Sequence, residues 1–431
     1  MLLPAAVALI ALAAPAGAVA ADYVPGQVLV KYRHGTSATE RAQVEDVTGT
    51  DTRQTLPGGS QQLTIKDGSS VAQTLEALRS DPDVAYAVPN YIAHASALYP
   101  NDPAFRRQWN FSGRFGIDMP DAWTLARRRG APGGRGAVVA VLDTGVAYRR
   151  LGRRFRRAPD LRHFTHGYDF VSRDRHPLDL NGHGTFVAGT IAESTNNHRA
   201  AAGIAYRARI MPVRVLDAAG GGDTVAIARG IRYAARHGAD VINMSLEFDA
   251  SVRASQIPDI VSAIRYARRR GVVVVAAAGN QAESVVAYPA RAHGVMAVAA
   301  TTVRGCEAEY SDSGNDVDVA APGGGYDAPN NDNPWDASHC NPDAPRRYIY
   351  QQTFTTSPRR FRLPGGYEGT SMAAPHVAGL AALIIATHRL GRHPRPGAVE
   401  GLIERTATDA GPRGFDPRYG HGIVNAAAAL R

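Results

Sequence analysis

Short runs of apolar residues recur along most of the chain and alternate with amphipathic stretches. The apolar runs, which predict buried strands, lie at 137–143, 208–216, 240–246, 271–280 and 294–301. Apolar residues at helical spacing over 224–237 and 258–270 predict helices between them. Buried strands joined by helices are typical of a parallel sheet that is covered on both faces. We therefore predict an α/β domain over residues 97–431, with a mostly parallel sheet and its active groups at the carboxyl ends of the strands.

A different pattern precedes this domain. Residues 24–33 predict a strand, and residues 70–91 predict a helix, a turn and a second strand. We assign residues 21–96 to a small α+β unit. Within the larger domain, the Arg-rich stretch 147–163 and the turn-rich stretch 326–361 break the alternation, and both are interpreted as surface loops.

The first residues are rich in Ala and Leu and end in Ala18-Val19-Ala20, a cleavage pattern of exported proteins. We predict a signal peptide over residues 1–20 and a secreted protein. No Lys or Arg precedes the apolar run, so a start inside the signal, or an uncleaved membrane anchor, stays open. No other stretch predicts a membrane span, and no stable membrane association is expected.

Composition fits a globular protein, with 431 residues, 44% hydrophobic residues and a net charge of +9. The only lysines are Lys31 and Lys66, so the positive charge reflects a preference for Arg. No nucleic-acid-binding motif accompanies the charge, and we expect no nucleic-acid partner. Cys306 and Cys340 fit one disulfide in an exported protein, and two unpaired thiols are the alternative.

Three separated segments carry candidate chemistry. Asp143 ends an apolar run, His183 lies between two glycines at the start of a helical pattern, and Ser371 lies in G-T-S-M-A-A-P-H-V-A-G. Taken singly, they have the ordinary interpretations of a turn residue, a loop histidine and a helix cap. Together they supply a hydroxyl, a base and a carboxylate, which are the parts of an activated serine nucleophile. Their order along the chain is Asp, His, Ser, at separations of 40 and 188 residues.

The motifs D-T-G, H-G-T-x-V-A-G and G-T-S-M-A-x-P-H-V-A-G resemble those of the subtilisin-like serine peptidases, in particular the thermitase-like branch. The resemblance covers about residues 100–431 and implies the subtilisin-like fold. It implies Ser371 as nucleophile, His183 as general base and acid, and Asp143 as the carboxylate that orients His183. It also implies that Asn280, which ends A-A-A-G-N, joins the backbone N–H of Ser371 in an oxyanion hole.

The resemblance implies a secreted endopeptidase that acts on proteins or peptides. A lipase or esterase would need G-x-S-x-G and the order Ser, Asp, His, and the chain has neither. The alternative is a degenerate, non-catalytic relative that acts as a binding protein.

The same resemblance implies that residues 21–96 are a propeptide, which assists folding and inhibits the enzyme until it is cut off between about Ala95 and Tyr99. A permanent small domain is the alternative. We expect a monomer.

Substrate contacts are also implied by the resemblance. Two segments would pair with an extended substrate backbone through main-chain hydrogen bonds. Their residues are Gly220, Gly221, Gly222, Ser245, Leu246 and Glu247. Glu247-Phe248 stands where the family usually has Gly-Gly, so we expect Glu247 to narrow the pocket for the residue before the scissile bond, or to redirect it towards basic side chains.

A calcium site is the last implication of the resemblance. Asp102, Asp160 and Asn197 would supply side-chain ligands, helped by loop carbonyls. Such hard oxygen ligands suit Ca²⁺. Turns without a metal ion are the alternative. We expect a structural ion and no catalytic cofactor.

Overall fold

The computed structural model describes residues 23–91, 97–329 and 339–431. The chain divides into two compact units between Ser96 and Ala97. The predicted signal peptide lies outside the described residues, and so do the first two residues of the segment from Ala95 to Tyr99 that is predicted to contain the propeptide cleavage site.

The first unit is a four-stranded antiparallel sheet of order β2-β3-β1-β4 with two helices. Its elements are β1 (Tyr23–Tyr32), α1 (Ala38–Val47), β2 (Thr50–Thr55), β3 (Gln61–Ile65), α2 (Val71–Ser80) and β4 (Val84–Tyr91). Both helices begin with a capping box. The hydroxyls of Ser37 and Ser70 accept from the backbone N–H of the third helical residue, which is Glu40 in α1 and Gln73 in α2. The side chains of Glu40 and Gln73 in turn accept from the backbone N–H of Ser37 and Ser70. The predicted β1, α2 and β4 are present, whereas the polar β2, β3 and α1 were not predicted.

The second unit contains seven strands among the described residues. They are β5 (Val138–Asp143), β6 (Tyr168–Asp169), β7 (Arg209–Arg214), β8 (Val241–Met244), β9 (Val273–Ala277), β10 (Met296–Thr301) and β11 (Val319–Pro322). They pair in parallel in the order β11-β10-β9-β8-β5-β7-β6. The helices are α3 (Trp109–Ser112), α4 (Met119–Arg128), α5 (His183–Ala192), α6 (Thr224–Arg236), α7 (Pro258–Arg269), α8 (Thr370–Ala386), α9 (Pro396–Arg405) and α10 (Ala426–Leu430).

Both faces of the parallel sheet are buried. In β5, Val139 and Val141 belong to the core that contains α4, α5 and α8, whereas Ala140 and Leu142 belong to the core that contains α6 and α7. Because successive strand residues point to opposite faces, this apolar strand requires helices on both sides. The predicted fold class, an α/β domain preceded by an α+β unit, is confirmed.

Helix α8 is apolar around its whole circumference, and almost all of its residues are buried. It packs against five strands of the sheet and against α5. A helix without a polar face is stable only inside a core. Its first residues are consequently held at a fixed place beside the carboxyl ends of the strands.

The turn-rich stretch 326–361 differs from the prediction. Its described part includes Ile349, Gln351, Thr353 and Phe354, all at most 2% exposed, so residues 349–354 belong to the core, whereas most of the flanking described residues are exposed as predicted for a surface loop. Cys306 and Cys340 form a disulfide with a Cα–Cα distance of 5.9 Å, which ties the stretch to the loop after β10.

Within the described ranges, no helix is long and apolar enough to cross a membrane.

Candidate active site

The carboxyl ends of adjacent strands and the starts of two helices meet at one cleft. Asp143 is the last residue of β5, and Asn280 follows β9 by three residues. His183 begins α5, and Ser371 is the second residue of α8. The cleft has a volume of about 610 Å³, and its lining includes His183, Ser371, Asn280 and all six predicted substrate-binding residues. The fold therefore brings together residues up to 228 positions apart in the chain.

Asp143 and His183 form a direct pair. Nδ1 of His183 lies 2.8 Å from Oδ1 and 3.0 Å from Oδ2 of Asp143. Asp143 is fully buried, whereas the His183 side chain is 24% exposed. The carboxylate thus holds one ring nitrogen inside the protein and leaves the other side of the ring accessible from the cleft. This is the geometry in which a carboxylate fixes the tautomer of a catalytic base.

Burial by itself lowers the pKa of His183. The charge and hydrogen bond of Asp143, together with the charge of Asp179, act in the opposite direction and leave the pKa raised. Nearby negative charge favours the imidazolium form. The site therefore stabilises the cation that forms when His183 accepts a proton.

Asp179 was missed by the sequence reasoning, although it lies only four residues before His183. Its two oxygens accept from the backbone N–H groups of Asn181, Gly182 and Thr185, and from the hydroxyls of Thr144 and Thr185. A fully buried carboxylate is compensated here by five donors. These bonds fix the loop that delivers His183 to Asp143.

Ser371 is near the start of α8, where backbone N–H groups have no partner within the helix. Its hydroxyl donates to the carbonyl of Ser245 at 3.3 Å, and Ser245 Oγ donates to the carbonyl of Ser371 at 2.8 Å. Within the described part of the chain, no hydrogen bond joins Ser371 to His183. The hydroxyl must turn away from Ser245 to reach the imidazole, and such bonds are often long before substrate binds.

The amide of Asn280 is held by the residue before Ser371. Asn280 Oδ1 accepts from the backbone N–H of Thr370 at 2.7 Å and from its hydroxyl at 3.0 Å. The oxygen is thereby fixed, and Nδ2 faces away from it as the available donor. Thr370 is a second residue that sequence reasoning missed, because a Thr before a helix also has the ordinary interpretation of a cap.

Nδ2 of Asn280 donates to Oε2 of Glu247 at 2.8 Å. Burial, and the negative charge of Asp312, raise the pKa of Glu247, and the Asn280 hydrogen bond opposes them. The residues predicted to bind the substrate backbone all line this cleft, and the three glycines among them are exposed (Gly220, Gly221, Gly222, Ser245 and Leu246).

The three residues predicted to bind calcium also lie together. Asp102 accepts from the backbone N–H groups of Asn196 and Asn197 at 2.6 and 3.0 Å. Asp160 Oδ1 accepts from Asn197 Nδ2 at 2.7 Å. The amide oxygen of Asn197 accepts from the backbone of Arg199. Asn197 therefore presents its nitrogen to Asp160, and its amide would have to turn to offer oxygen to a cation.

A third buried acid, Glu193, adds to this cluster. Burial and the charges of Asp160 and Asp102 raise its pKa well above the usual range. Within the described residues, Asp160 Oδ2 and Glu193 Oε1 are buried without a hydrogen-bond partner. Buried carboxylate oxygens without partners are costly unless a cation neutralises them. The donor set therefore fits a hard cation such as Ca²⁺.

Comparison with known proteins agrees with this geometry. The profile of the subtilase family matches residues 134–422, and that of the fervidolysin N-terminal prodomain matches residues 11–90. The thermophilic serine proteinase of Bacillus sp. strain AK1 is 35% identical over 92% of this chain and 86% of its own length. Thermitase of Thermoactinomyces vulgaris is 37% identical over 77% of this chain and 99% of its own.

Two further relatives extend the comparison. The extracellular protease of Xanthomonas campestris pv. campestris is 35% identical over 84% of this chain and 62% of its own length. A solved structure of proteases from Pseudoalteromonas arctica PAMC 21717 superposes with a TM-score of 0.63 at 35% identity, covering 77% of this chain and 98% of that one. The chain thus belongs to the subtilase family and is a serine endopeptidase with an N-terminal region like the fervidolysin prodomain.

Proposed function

We propose that the protein is a secreted endopeptidase, made as a zymogen, in which Ser371, His183 and Asp143 form the catalytic triad. The observation that carries the proposal is the hydrogen bond between His183 and the buried Asp143, with His183 lining the same cleft as Ser371 and Asn280. A subtilase that has become a binding protein is the alternative, and it gives no reason for a buried carboxylate to hold the histidine of this cleft.

In the proposed mechanism, Ser371 Oγ attacks the carbonyl carbon of the scissile peptide bond while His183 Nε2 accepts the hydroxyl proton. Asp143 stabilises the resulting imidazolium. Asn280 Nδ2 and the backbone N–H of Ser371 donate to the oxyanion of the tetrahedral intermediate. The intermediate collapses, and His183 gives the proton to the departing amine. Water then attacks the acyl carbonyl while His183 accepts its proton, and His183 returns that proton to Ser371 Oγ as the ester bond breaks and the carboxylic acid product leaves.

The proposed zymogen rests on the N-terminal unit. Residues 11–90 resemble a prodomain, and the unit has its own apolar core. We assign it, within residues 21–96, the role of an intramolecular inhibitor that is cut off before about Tyr99. Relatives named extracellular proteases, together with the pattern of residues 1–20, support secretion after removal of a signal peptide. The mature enzyme is proposed to be a monomer.

We also propose a structural calcium ion held by Asp102 and Asp160, with Glu193 contributing charge and the Asn197 amide contributing oxygen after it turns. A bound divalent cation would neutralise the buried acids and join the segment around Asp102 to the loop after α5. This ion has no part in the chemical steps.

Active-site labelling tests the proposal. A fluorophosphonate probe, which reacts with activated serines, is expected to label the secreted protein, and Ser371→Ala is expected to abolish the labelling. Ser112→Ala, at an exposed serine outside the lining of the cleft, is the matched control and should label normally. Absence of labelling after the N-terminal unit has been removed would favour the non-catalytic alternative.

A further inference from the structure

The cleft contains a carboxylate that has no cationic partner. Glu247 is half-buried beside Asn280 and lines the same cavity as Ser371. Within the described residues, no Lys or Arg forms an ion pair with Glu247. Placing a carboxylate out of water is unfavourable unless a positive charge or several donors compensate it. The donors to Glu247 are the side chains of Asn280 and Gln281 and the backbone of Asn280, all of them neutral.

A second acid increases the negative charge at this place. Asp312 is fully buried; its Oδ1 accepts from the backbone N–H groups of Gln281 and Glu283, the residues just after Asn280. Its Oδ2 is buried without a partner among the described residues. The charge of Asp312 acts on Glu247 and further raises its pKa. Two acids therefore lie close together at this end of the cleft, and among the described residues neither forms an ion pair with a Lys or Arg.

The position of Glu247 relates it to one residue of a substrate. In the proposed mechanism, which this inference rests on, the Asn280 amide donates to the oxyanion at about 3 Å. Since Glu247 Oε2 lies 2.8 Å from the same amide nitrogen, it lies within about 6 Å of the oxyanion. The side chain before the scissile bond, called P1, starts next to that carbonyl, so the long side chains of Lys and Arg can reach Glu247.

Apolar and acidic side chains line this cleft together. Leu246 and Phe248, the neighbours of Glu247 in the chain, belong to the lining, and so does a second carboxylate, Asp249. Apolar side chains next to acids match Lys and Arg, whose methylene stems bury well and whose charged ends need a polar partner. The amide nitrogen of Asn280 has two hydrogens, so it can serve Glu247 and the oxyanion at once.

We infer that Glu247 is the specificity-determining residue of the P1 pocket and selects peptides with Lys or Arg before the scissile bond. The substrate supplies the cation that this part of the cleft lacks. The sequence left open whether Glu247 narrows the pocket or attracts basic residues, and the contacts around Glu247 favour attraction.

The test compares peptides that differ only at P1, with Lys in one and norleucine in the other. Norleucine has a similar aliphatic stem without the charge, so the ratio of the two kcat/KM values isolates the electrostatic contribution. Glu247→Gln keeps the size and the acceptor for Asn280 but removes the charge. Glu309→Gln, at an exposed carboxylate, changes the net charge equally and is the matched control.

We expect the wild type and Glu309→Gln to prefer Lys over norleucine by about 10- to 100-fold, and Glu247→Gln to lose that preference, because the pair is partly desolvated. A wild-type ratio near one, or an unchanged ratio in Glu247→Gln, would overturn the inference. If no peptide is cleaved, the proposed function fails, and binding of the fluorescent cation 4-aminobenzamidine then decides the inference separately. Binding that Glu247→Gln weakens about tenfold supports it, and equal or absent binding overturns it.

Discussion

Replacing Asp143 by Asn is the most direct test of how the triad works. Asp143 Oδ1 accepts both from His183 Nδ1 and from the backbone N–H of Thr144 at 2.7 Å, whereas Oδ2 lies 3.0 Å from Nδ1. The Thr144 N–H can only donate, so the Asn oxygen is expected to stay on that side. The Asn NH₂ group then takes the place of Oδ2, 3.0 Å from His183 Nδ1, and its donation to Nδ1 competes with acceptance by the Asn oxygen at the Oδ1 position.

This donation forces the proton of the neutral imidazole onto Nε2, which can then no longer accept the proton of Ser371. The arrangement of the three side chains is preserved, but the neutral imidazole of His183 is in the tautomer that cannot act as the base. The expected loss in kcat is about 10⁴-fold, which corresponds to about 5 kcal/mol of transition-state stabilisation.

The substitution also moves the acidic limb of the pH–rate profile. His183 must be neutral to act as a base, so activity falls as the pH drops through its pKa. In the wild type this pKa is raised, which places the limb above the ordinary value of about 6.5. Without the charge of Asp143, burial still lowers the pKa of His183 and only the charge of Asp179 raises it. The acidic limb is therefore expected at lower pH in the variant.

The assay is kcat/KM for one peptide between about pH 5 and 9, with thermal unfolding as the control for folding. A correctly folded Asp143→Asn variant that keeps kcat within tenfold of the wild type would refute the tautomer argument. A limb that does not move would refute the electrostatic one.

Thr370→Val removes the hydroxyl that holds the amide oxygen of Asn280, and we expect kcat to fall about tenfold with little change in KM, as measured by steady-state kinetics. Chelation by EDTA is expected to lower the temperature of half-inactivation by several degrees, because an ion at 100 times its Kd contributes about 2.7 kcal/mol. Replacing both Cys306 and Cys340 by Ala removes a disulfide that joins residues 34 positions apart. We expect the free energy of unfolding to fall by about 3–4 kcal/mol, as measured by thermal unfolding.

Each of these expectations has a clear contrary result. Thr370→Ser retains a hydroxyl and should restore most of kcat, so equal losses in both variants would argue against the hydrogen bond. Added Ca²⁺ should reverse the effect of EDTA, and Asp160→Asn should abolish that reversal. For the cysteines, an unchanged unfolding temperature in the double variant would exclude a stabilising role of the disulfide.

The local pattern of apolar and polar residues predicted much of the fold. Strands β5, β7, β8, β9 and β10 and helices α6 and α7 lie within the predicted ranges, because apolar periodicity directly reflects burial on one or both faces. The two-residue β6 was missed, since so short an element leaves too few residues to establish a period, and β11 was missed as well. In the first unit, β2 is mostly exposed and polar, so its sequence gives no apolar alternation.

By itself, the sequence determined the fold class, the family and the four residues proposed for catalysis, because motif and order are written along the chain. The tertiary structure alone decided which side chains meet. Asp179 accepts from Thr144, 35 positions away, and Thr370 fixes Asn280, 90 positions away. The charge of Asp160 acts on Glu193 across a gap in the chain similar to that between Thr144 and Asp179. No local pattern records these interactions. The distance between Glu247 and Asn280 is likewise a feature that only the tertiary structure decided. Two residues 33 positions apart share a hydrogen bond because β8 and β9 are neighbours in the sheet, and only packing determines what their side chains do there.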